Sequence, residues 1–276
     1  MTGQPEQAQL DKAQAFKALH DSGETFIIPN PWDAGSALML QELGFKALAT
    51  TSAGFARTLG RSDGQVTLEE KLDHCRALAA VTSIPISADF ENGFADAPEA
   101  AAANVVNLAG TGLVGGSIED WSGTQIYDFN LAVERIAAAA EAVANLSFPF
   151  LVTARAEGLF RGVGDLDEVI RRLQAYEAAG ADVLYAPRLK TLDEVKAVVD
   201  AVSKPVNVLA VFMPEVPLAD YAQLGVGRVS VGNALGSYAS KAALAAATRM
   251  VDAGDFGWSL AAKDALRYPC FRHSHR

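Results

Sequence analysis

Carboxylates cluster at the ends of two neighbouring candidate strands. One strand runs into Ser-Ala-Asp89-Phe-Glu91-Asn-Gly and the next into Ser-Ile-Glu119-Asp. Because side chains alternate along a strand, Asp89 and Glu91 share one face, and Glu119 is expected beside them. Three acids in a partly desolvated place repel one another unless protons or a cation neutralise them. An all-oxygen set suits Mg²⁺ or Mn²⁺; the alternative is that these acids are helix caps or solvated turn residues.

An arginine follows on the next strand, Leu-Val-Thr153-Ala-Arg155-Ala-Glu157. The same alternation points Thr153 and Arg155 inward. An inward guanidinium needs an anion, and two sources stay open: an acidic substrate, or an internal salt bridge to Glu119 or Glu157. A dication, three carboxylates and one arginine sum to almost no net charge. The site could therefore accept an anionic ligand that chelates the metal.

Two glycine-containing segments offer backbone amides to an anion. The second strand runs into Thr-Thr-Ser52-Ala53-Gly54, a small-residue turn whose N–H groups can approach a carboxylate. After the eighth strand, Ser230-Val-Gly-Asn233-Ala opens a helix, where amides commonly meet an anion. The alternative for that second segment is an ordinary N-cap by Asn233.

Residues 55–67 are too long and too rich in glycine for an ordinary strand-to-helix loop. We expect a lid over the site, with Asp63 as its reactive group. The alternative is a surface loop without a chemical role.

The elements that must position these residues alternate regularly. Short apolar, β-branched runs predict eight strands, at 26–29, 47–50, 84–89, 113–118, 148–155, 183–186, 206–211 and 229–231. Helical periodicity falls between them, for example at 68–81, 97–108, 131–144, 166–179 and 192–202. Gly44, Gly180 and Gly225 each stand where a helix hands over to a strand.

This alternation predicts an α/β fold, a closed (β/α)8 TIM barrel, rather than the doubly wound open sheet that is its alternative. We expect a single domain over residues 1–276, with the barrel core at about 24–250 and a C-terminal helical extension at about 251–276. In such a barrel, chemistry belongs at the C-terminal ends of the strands.

Composition excludes several classes of function. Lys and Arg number 23 against 33 Asp and Glu, a formal charge of −10 without a basic block, which disfavours nucleic-acid binding. The polar N-terminus lacks a signal-peptide pattern and no apolar stretch reaches membrane-spanning length, so we expect a cytoplasmic protein with no membrane partner. Cys75 and Cys270 are too far apart for a zinc motif or a disulfide framework.

Other catalytic groups are missing from the expected site. His20 and His74 fall in helical segments and His273 and His275 in the tail, which disfavours a histidine base or ligand. No GxGxxG or GxxxxGK[ST] pattern occurs. The best lysine for a Schiff base, Lys190, is expected on the surface.

Taken together, the motifs resemble the isocitrate lyase / phosphoenolpyruvate mutase superfamily over residues 24–250. They are TTSAG (50–54), LGRSDG (59–64), SADFENGF (87–94), SIEDW (117–121), TARAEG (153–158), PVNVLA (205–210) and RVSVGNAL (228–235). The resemblance implies a (β/α)8 barrel that assembles into homodimers or homotetramers by exchanging a C-terminal helix. It also implies Mg²⁺-dependent making or breaking of a C–C or P–C bond beside a 2-oxo or 2-hydroxy acid.

The resemblance also implies roles for single residues. By position these are metal-site acids (Asp89, Glu91, Glu119), a turn for the substrate carboxylate (Ser52, Ala53, Gly54), a substrate-side arginine (Arg155), a polar residue lining the mouth (Asn207) and the acid of the gating loop (Asp63). The superfamily's isocitrate lyases carry a Lys-Lys/Arg-Cys-Gly-His segment after the IED motif. Here residues 121–128 contain no Cys, His or Lys, so cleavage by that route is not expected.

The expected function is a Mg²⁺-dependent lyase for a small 2-oxo or 2-hydroxy di- or tricarboxylic acid. Its leading form is oxaloacetate-like decarboxylation, which asks least of a base, or isocitrate-lyase-like cleavage. The alternatives are a phosphonopyruvate hydrolase or mutase acting on a P–C bond, and a non-catalytic, metal-dependent binder of 2-oxo acids.

Overall fold

A computed structural model describes residues 7–262. Its eight strands are β1 Phe26–Ile27, β2 Leu48–Ala49, β3 Ile86–Asp89, β4 Gly115–Glu119, β5 Leu151–Arg155, β6 Val183–Tyr185, β7 Val206–Leu209 and β8 Arg228–Ser230. Each lies within or overlaps a run predicted from the sequence. The prediction of eight strands is confirmed.

All eight strands are parallel and form one curled sheet. Its hydrogen-bonded order is β1-β8-β7-β6-β5-β4-β3-β2, so the first strand pairs with the last. Strands β1 and β2 stand at the two ends of this order. Ala49 N in β2 donates to Pro29 O, two residues after β1, at 3.1 Å, so the two ends of the sheet meet. The fold is therefore α/β and barrel-like, as predicted, and not an open doubly wound sheet.

Helices follow the strands around this sheet. They are α1 Gln7–Asp21, α2 Ala34–Glu42, α3 Ser52–Thr58, α4 Leu68–Val81, α5 Pro98–Ala109, α6 Phe129–Ala144, α7 Gly158–Arg161, α8 Leu166–Ala178, α9 Leu192–Ala201, α10 Leu218–Gln223, α11 Ala234–Ala253 and α12 Ser259–Ala262, with a 3₁₀ turn at Ala210–Phe212. The five helices predicted by periodicity are all present, and their ends agree within two residues.

Local signals explain where the helices begin and end. Thr67 and Glu70 form a reciprocal capping box at the start of α4. Gly44, Gly180 and Gly225 all have positive φ just after a helix. Because an L side chain resists this left-handed conformation, glycine is favoured where the chain leaves the helix for the next strand.

Alternation along β3 divides the core in two. Ile86 and Ala88, and Phe90 just beyond the strand, are buried in the layer between sheet and helices. Ser87 and Asp89 point to the other side and line the barrel interior. Helix α1 packs on the strands' N-terminal side, where Phe16 lies close to Gly115 of β4. Because α1 covers the N-terminal ends of the strands, a site open to a ligand is expected at their C-terminal ends.

The C-terminal helix differs from the others. Of the twenty residues of α11, Gly236 is the one that is buried. Apolar side chains remain exposed along α11 and the segment that follows, among them Tyr238, Leu244, Val251 and Phe256. Cys270 and the 272–276 tail lie outside the described residues. Between residues 7 and 262, no helix is both long and apolar enough to cross a membrane.

Candidate active site

A cavity of about 710 Å³ opens at the C-terminal ends of the strands. Most residues predicted for the site line it: Ser52, Ala53, Asp63, Asp89, Glu91, Glu119, Arg155 and Asn207. Gly54 does not line the cavity. The sheet's curvature therefore brings together residues that are more than 150 positions apart in the sequence.

Asp89 and Glu91 reach the cavity by different routes. Asp89 is the last residue of β3, so the strand's alternation directs it inward. Glu91 lies beyond the strand, with a left-handed φ of 48°. Its carbonyl accepts a hydrogen bond from Glu119 N at 2.9 Å, which anchors this turn to β4. Glu91 shares the cavity with Asp89 as predicted, but a turn directs its side chain there instead of strand alternation.

The two carboxyl groups have opposite electrostatic surroundings. Burial would raise the pKa of Asp89, but Arg155, Lys71 and a hydrogen bond from Ser52 N lower it below its usual value. Burial, together with the charge of Asp89, raises the pKa of Glu91 to about 7. Ionising Glu91 near neutral pH is therefore opposed unless another positive charge is present.

Glu119 faces two arginines. Its Oε2 lies 3.3 Å from Arg155 Nη1, and its Oε1 lies 3.6 Å from Arg161 Nη2. Burial raises the pKa of Glu119; Arg155 opposes this effect and Glu157 adds to it. Both oxygens are thus directed at cations of the protein itself.

Arg155 pairs with carboxylates of the protein itself. It forms ion pairs with Glu119, with Glu157 and, at 3.6 Å, with Asp89. Glu157 is completely buried and also accepts from Arg161 Nε at 3.0 Å. The backbone N–H of Glu157 donates to Asp120 Oδ1 at 2.7 Å. Asp120 therefore holds Glu157 in position to pair with the two arginines. The internal salt bridge is present, and substrate contact by Arg155 remains a prediction.

The acids fit a hard dication, but not as three shared ligands. Asp89 Oδ1 and Glu91 Oε1 are buried and accept no hydrogen bond within the described chain. Across residues 7–262, no three His, Cys, Asp or Glu side chains come close enough to hold one ion together. Asp89 and Glu91 thus suit an ion that completes its shell with water or substrate oxygens, as Mg²⁺ does. Glu119 is less suited to contact such an ion directly, because both of its oxygens face arginines.

The segment predicted as an open turn is the first turn of helix α3. Ser52 N donates to Asp89 Oδ2 at 3.0 Å, and Gly54 N donates to Thr51 Oγ1 at 3.2 Å. Gly54 is packed so closely that an added Cβ would lie 3.0 Å from Trp32. The expectation that all three amides face a substrate is wrong for these two, because protein oxygens already occupy them. Ala53 is the residue of the three whose amide is left for a ligand.

The predicted lid is shorter than residues 55–67. Its first four residues complete α3, where Phe55 stacks on His74 with ring centres 3.8 Å apart. The remaining loop carries Asp63 and Gly64 to the cavity rim. Arg61 fastens it to α4 through a 2.7 Å ion pair with Glu70.

The floor of the cavity is a network of neutral side chains around one arginine. Arg228 Nε donates to Asn207 Oδ1 at 2.9 Å, and Asn207 Nδ2 donates to Ser230 Oγ at 3.0 Å. Asn207 lines the cavity as predicted, but both ends of its amide have partners. At the start of α11, Asn233 makes no capping hydrogen bond through its side chain, so the ordinary N-cap alternative is not formed.

Sequence reasoning missed three charged residues. Arg228 precedes Ser230 by two positions on β8, so alternation could have found it. Arg161 lies in α7 and its guanidinium covers the Trp121 ring at 4.5 Å. Lys71 is fully buried behind Thr50, although its helix reads as an ordinary solvated charge pattern. Lys190 is exposed, as expected.

The sequence pattern of the phosphoenolpyruvate phosphomutase family matches residues 16–251. The chain belongs to this family. An uncharacterized protein of Mycobacterium tuberculosis is 35% identical over 221 residues, 79% of this chain and 82% of that protein. The 2-methylisocitrate lyase of Escherichia coli is 30% identical over 204 residues, 70% of this chain and 68% of the enzyme. The superfamily resemblance drawn from the motifs is confirmed.

Two solved structures are similar to the chain over nearly its whole length. A putative lyase/mutase from Burkholderia cenocepacia is 48% identical, with a TM-score of 0.91 over 95% of this chain and 97% of that one. A phosphonopyruvate hydrolase in complex with oxalate and Mg²⁺ is 28% identical, with a TM-score of 0.83 over 93% and 94% of the two chains. By sequence alone, the chain is also similar to an oxaloacetate decarboxylase of Pseudomonas entomophila, which is 26% identical over 241 residues, 83% of this chain and 81% of the enzyme.

Proposed function

We propose that this member of the phosphoenolpyruvate phosphomutase family is a Mg²⁺-dependent lyase. Its substrate class is a small 2-oxo or 2-hydroxy di- or tricarboxylic acid, and the bond made or broken is a C–C bond beside the carbonyl. Oxaloacetate-like decarboxylation is the leading form, with isocitrate-lyase-like cleavage as the other. The observation that carries the proposal is that Asp89 and Glu91 each place in the cavity a buried carboxylate oxygen that accepts no hydrogen bond from the described residues.

Asp89 and Glu91 would hold the metal ion directly, and Glu119 would act on it indirectly, through water. The ion could also be Mn²⁺, which shares the preference for oxygen ligands. When bound, such an ion supplies Lewis-acid polarisation of the 2-oxo group. Glu91, whose pKa burial and Asp89 raise to about 7, would bind a cation more weakly as the pH falls below that value, because protons then compete for the carboxylate.

The protein's own groups then orient and protect the substrate. Arg155, fixed by its ion pairs, presents its guanidinium to a carboxylate, and the Ala53 amide offers a further donor. The loop that carries Asp63 excludes water from the reacting carbon. Glu119, whose two oxygens face Arg155 and Arg161, would hold both guanidinium groups beside the substrate.

The direct test is a substrate screen with a matched pair of variants. Wild-type protein should release pyruvate and CO₂ from oxaloacetate with Mg²⁺ faster than free Mg²⁺ does. Glu91→Gln should lose this activity, whereas Glu69→Gln, which removes an exposed carboxylate from α4, should keep it. Unchanged turnover in Glu91→Gln would refute the metal assignment.

A second candidate is cleavage of a P–C bond. A phosphonopyruvate hydrolase of Variovorax is 31% identical over 242 residues, 81% of this chain and 81% of the enzyme. Phosphonopyruvate offers the same 2-oxo acid to the metal, so the same cavity would accept it. Release of inorganic phosphate from phosphonopyruvate, without pyruvate from oxaloacetate, would favour this candidate. Tight binding of both acids without any product would favour a non-catalytic binder.

The assembly proposed with this function is a homodimer or homotetramer. Helix α11 projects with exposed apolar side chains, including Tyr238 and Leu244, and a second copy of the chain would cover them. Sedimentation should give a mass of two or four chains. A monomer at micromolar concentration would contradict this part of the proposal.

A further inference from the structure

Three arginines line the cavity, and they differ in their acidic neighbours. Arg155 contacts three carboxylates and Arg161 contacts two. Arg228 makes no ion pair with any acid in residues 7–262. Its charge is thus the one in the cavity wall that the described protein leaves uncompensated.

The surroundings of Arg228 are polar but neutral. Nε donates to Asn207 Oδ1 at 2.9 Å, and Nη2 donates to Thr153 Oγ1 at 3.0 Å. Nη1 lies 3.2 Å from His20 Nε2. Burial, with Arg228 adding, lowers the pKa of His20 to about 4, so the imidazole is neutral near pH 7 and can accept that bond. These contacts use three of the five guanidinium N–H groups.

A buried cation without an anion is unfavourable. Arg228 is 4% exposed, and burial lowers its pKa to about 10, which still leaves it charged at neutral pH. Ionised groups removed from water need compensation from a nearby opposite charge. Since the cavity reaches Arg228, a ligand can supply that charge where the protein does not.

We propose that Arg228 makes the cavity floor a subsite for the second carboxylate of a dicarboxylic 2-oxo acid. This inference rests on the proposed function, in which Asp89 and Glu91 hold the metal that meets the 2-oxo end. It predicts that the protein discriminates di-acids from mono-acids of equal length. The residue that does so is Arg228, because Arg155 is assigned to the carboxylate beside the 2-oxo group and Arg161 already pairs with Glu119 and Glu157.

The test compares 2-oxoglutarate with 2-oxopentanoate, which has the same chain length but lacks the second carboxylate. Calorimetric affinities are measured with Mg²⁺ for wild type and Arg228→Met. Wild type should prefer 2-oxoglutarate, and the variant should lose about 10-fold or more of that preference while 2-oxopentanoate binds unchanged. Arg171→Met, which removes an exposed arginine that does not line this cavity, should leave the preference unchanged.

The possible outcomes distinguish failure of the Arg228 subsite from failure of the proposed lyase function. A folded Arg228→Met protein with the wild-type preference would overturn the inference alone. Wild-type protein that binds neither acid would overturn the proposed function and the inference together. Should Arg228→Met not fold, a crystal structure of wild type with Mg²⁺ and 2-oxoglutarate decides: the distal carboxylate hydrogen-bonded to Arg228 supports the subsite, and any other position overturns it.

Kinetics provide a further distinction. If oxaloacetate binds with its second carboxylate on Arg228, the contact weakens as that group leaves as CO₂. Arg228→Met should then raise KM for oxaloacetate and leave kcat unchanged or higher, because ground-state binding is what is lost. A fall in kcat with an unchanged KM would contradict the subsite and indicate a merely structural role.

Discussion

Lys71 donates a hydrogen bond from Nζ to Thr50 Oγ1 across 3.3 Å, in a position with no solvent exposure. The same hydroxyl accepts a hydrogen bond from the backbone N–H of Asp89 at 2.9 Å. Helix α4, outside the sheet, thereby places a positive charge behind Asp89 and Glu91, the two carboxylates proposed to hold a metal ion. The charge of Lys71 lowers the pKa of Asp89 and partly offsets the rise in the pKa of Glu91.

Replacing Lys71 by Met should make Mg²⁺ binding more sensitive to acid. Burial and Asp89 raise the pKa of Glu91 to about 7, and Lys71 opposes them, so removing the ammonium raises that pKa further. Protons then compete with the metal up to a higher pH. Calorimetric Mg²⁺ affinity between pH 6 and 9 is the measurement, with the exposed Lys196→Met as control. If Mg²⁺ affinity falls at the same pH in Lys71→Met as in wild type, Lys71 does not act on the site.

Removing the charge of Glu157 should destabilise the protein strongly. Glu157→Gln leaves Arg155 and Arg161 without their shared, fully buried partner. Breaking a buried pair on one side costs roughly 3–5 kcal/mol. Asp200→Asn, which breaks an exposed pair with Lys196, should cost under about 1 kcal/mol. Urea unfolding measures both, and equal losses would show that burial does not matter here.

Gly54 and Gly35 offer a matched test of close packing, since both lie in the first turn of a helix. A Cβ at Gly54 would lie 2.5 Å from Thr51 Cγ2, whereas at Gly35 the nearest atom is 3.6 Å away. Gly54→Ala should therefore cost roughly 1–3 kcal/mol through overpacking. Gly35→Ala should be neutral or stabilising, because alanine favours the helix. Thermal melting distinguishes the two variants, and equal melting temperatures would contradict the packing argument.

Stability should fall as the pH drops below about 6.5. Burial lowers the pKa of His20 to about 4 and that of His74 to about 3, so the unfolded chain takes up protons that the folded protein refuses. Each histidine then costs about 1.4 kcal/mol per pH unit between its unfolded and folded pKa values. The variant His74→Gln should reduce this slope, as read from urea unfolding at pH 7 and pH 5. An identical slope in the variant would refute the assignment to His74.

The Arg61–Glu70 pair should control the loop that carries Asp63. Glu70→Gln weakens both the ion pair and the capping box at Thr67, so residues 59–67 should exchange amide hydrogens and be cleaved by proteases faster. KM for the substrate should rise as the loop closes less often. Asp73→Asn, which breaks the exposed pair with Arg76 on the same helix, is the control. Equal protection in both variants would argue against a fastened loop.

The sequence determined the order and identity of the elements, because the signals for them are local. Alternation along β3, β4 and β5 was sufficient to direct Asp89, Glu119 and Arg155 inward, and the helical period located α4 to the residue. Capping residues and left-handed glycines fixed where helices end. Even the cavity's position follows once eight parallel strands are recognised, since their C-terminal ends share one side of the sheet.

The tertiary structure alone decided which charges meet. Distances across the curled sheet decide that two arginines pair with Glu119 and that Ser52 N donates to Asp89. They also decide that Arg228 has no acid beside it within residues 7–262. No local pattern encodes those distances, because Coulomb and hydrogen-bond energies change over a few ångströms while strand alternation specifies only a face. The fate of each charged side chain was therefore settled by burial and by neighbours distant in sequence.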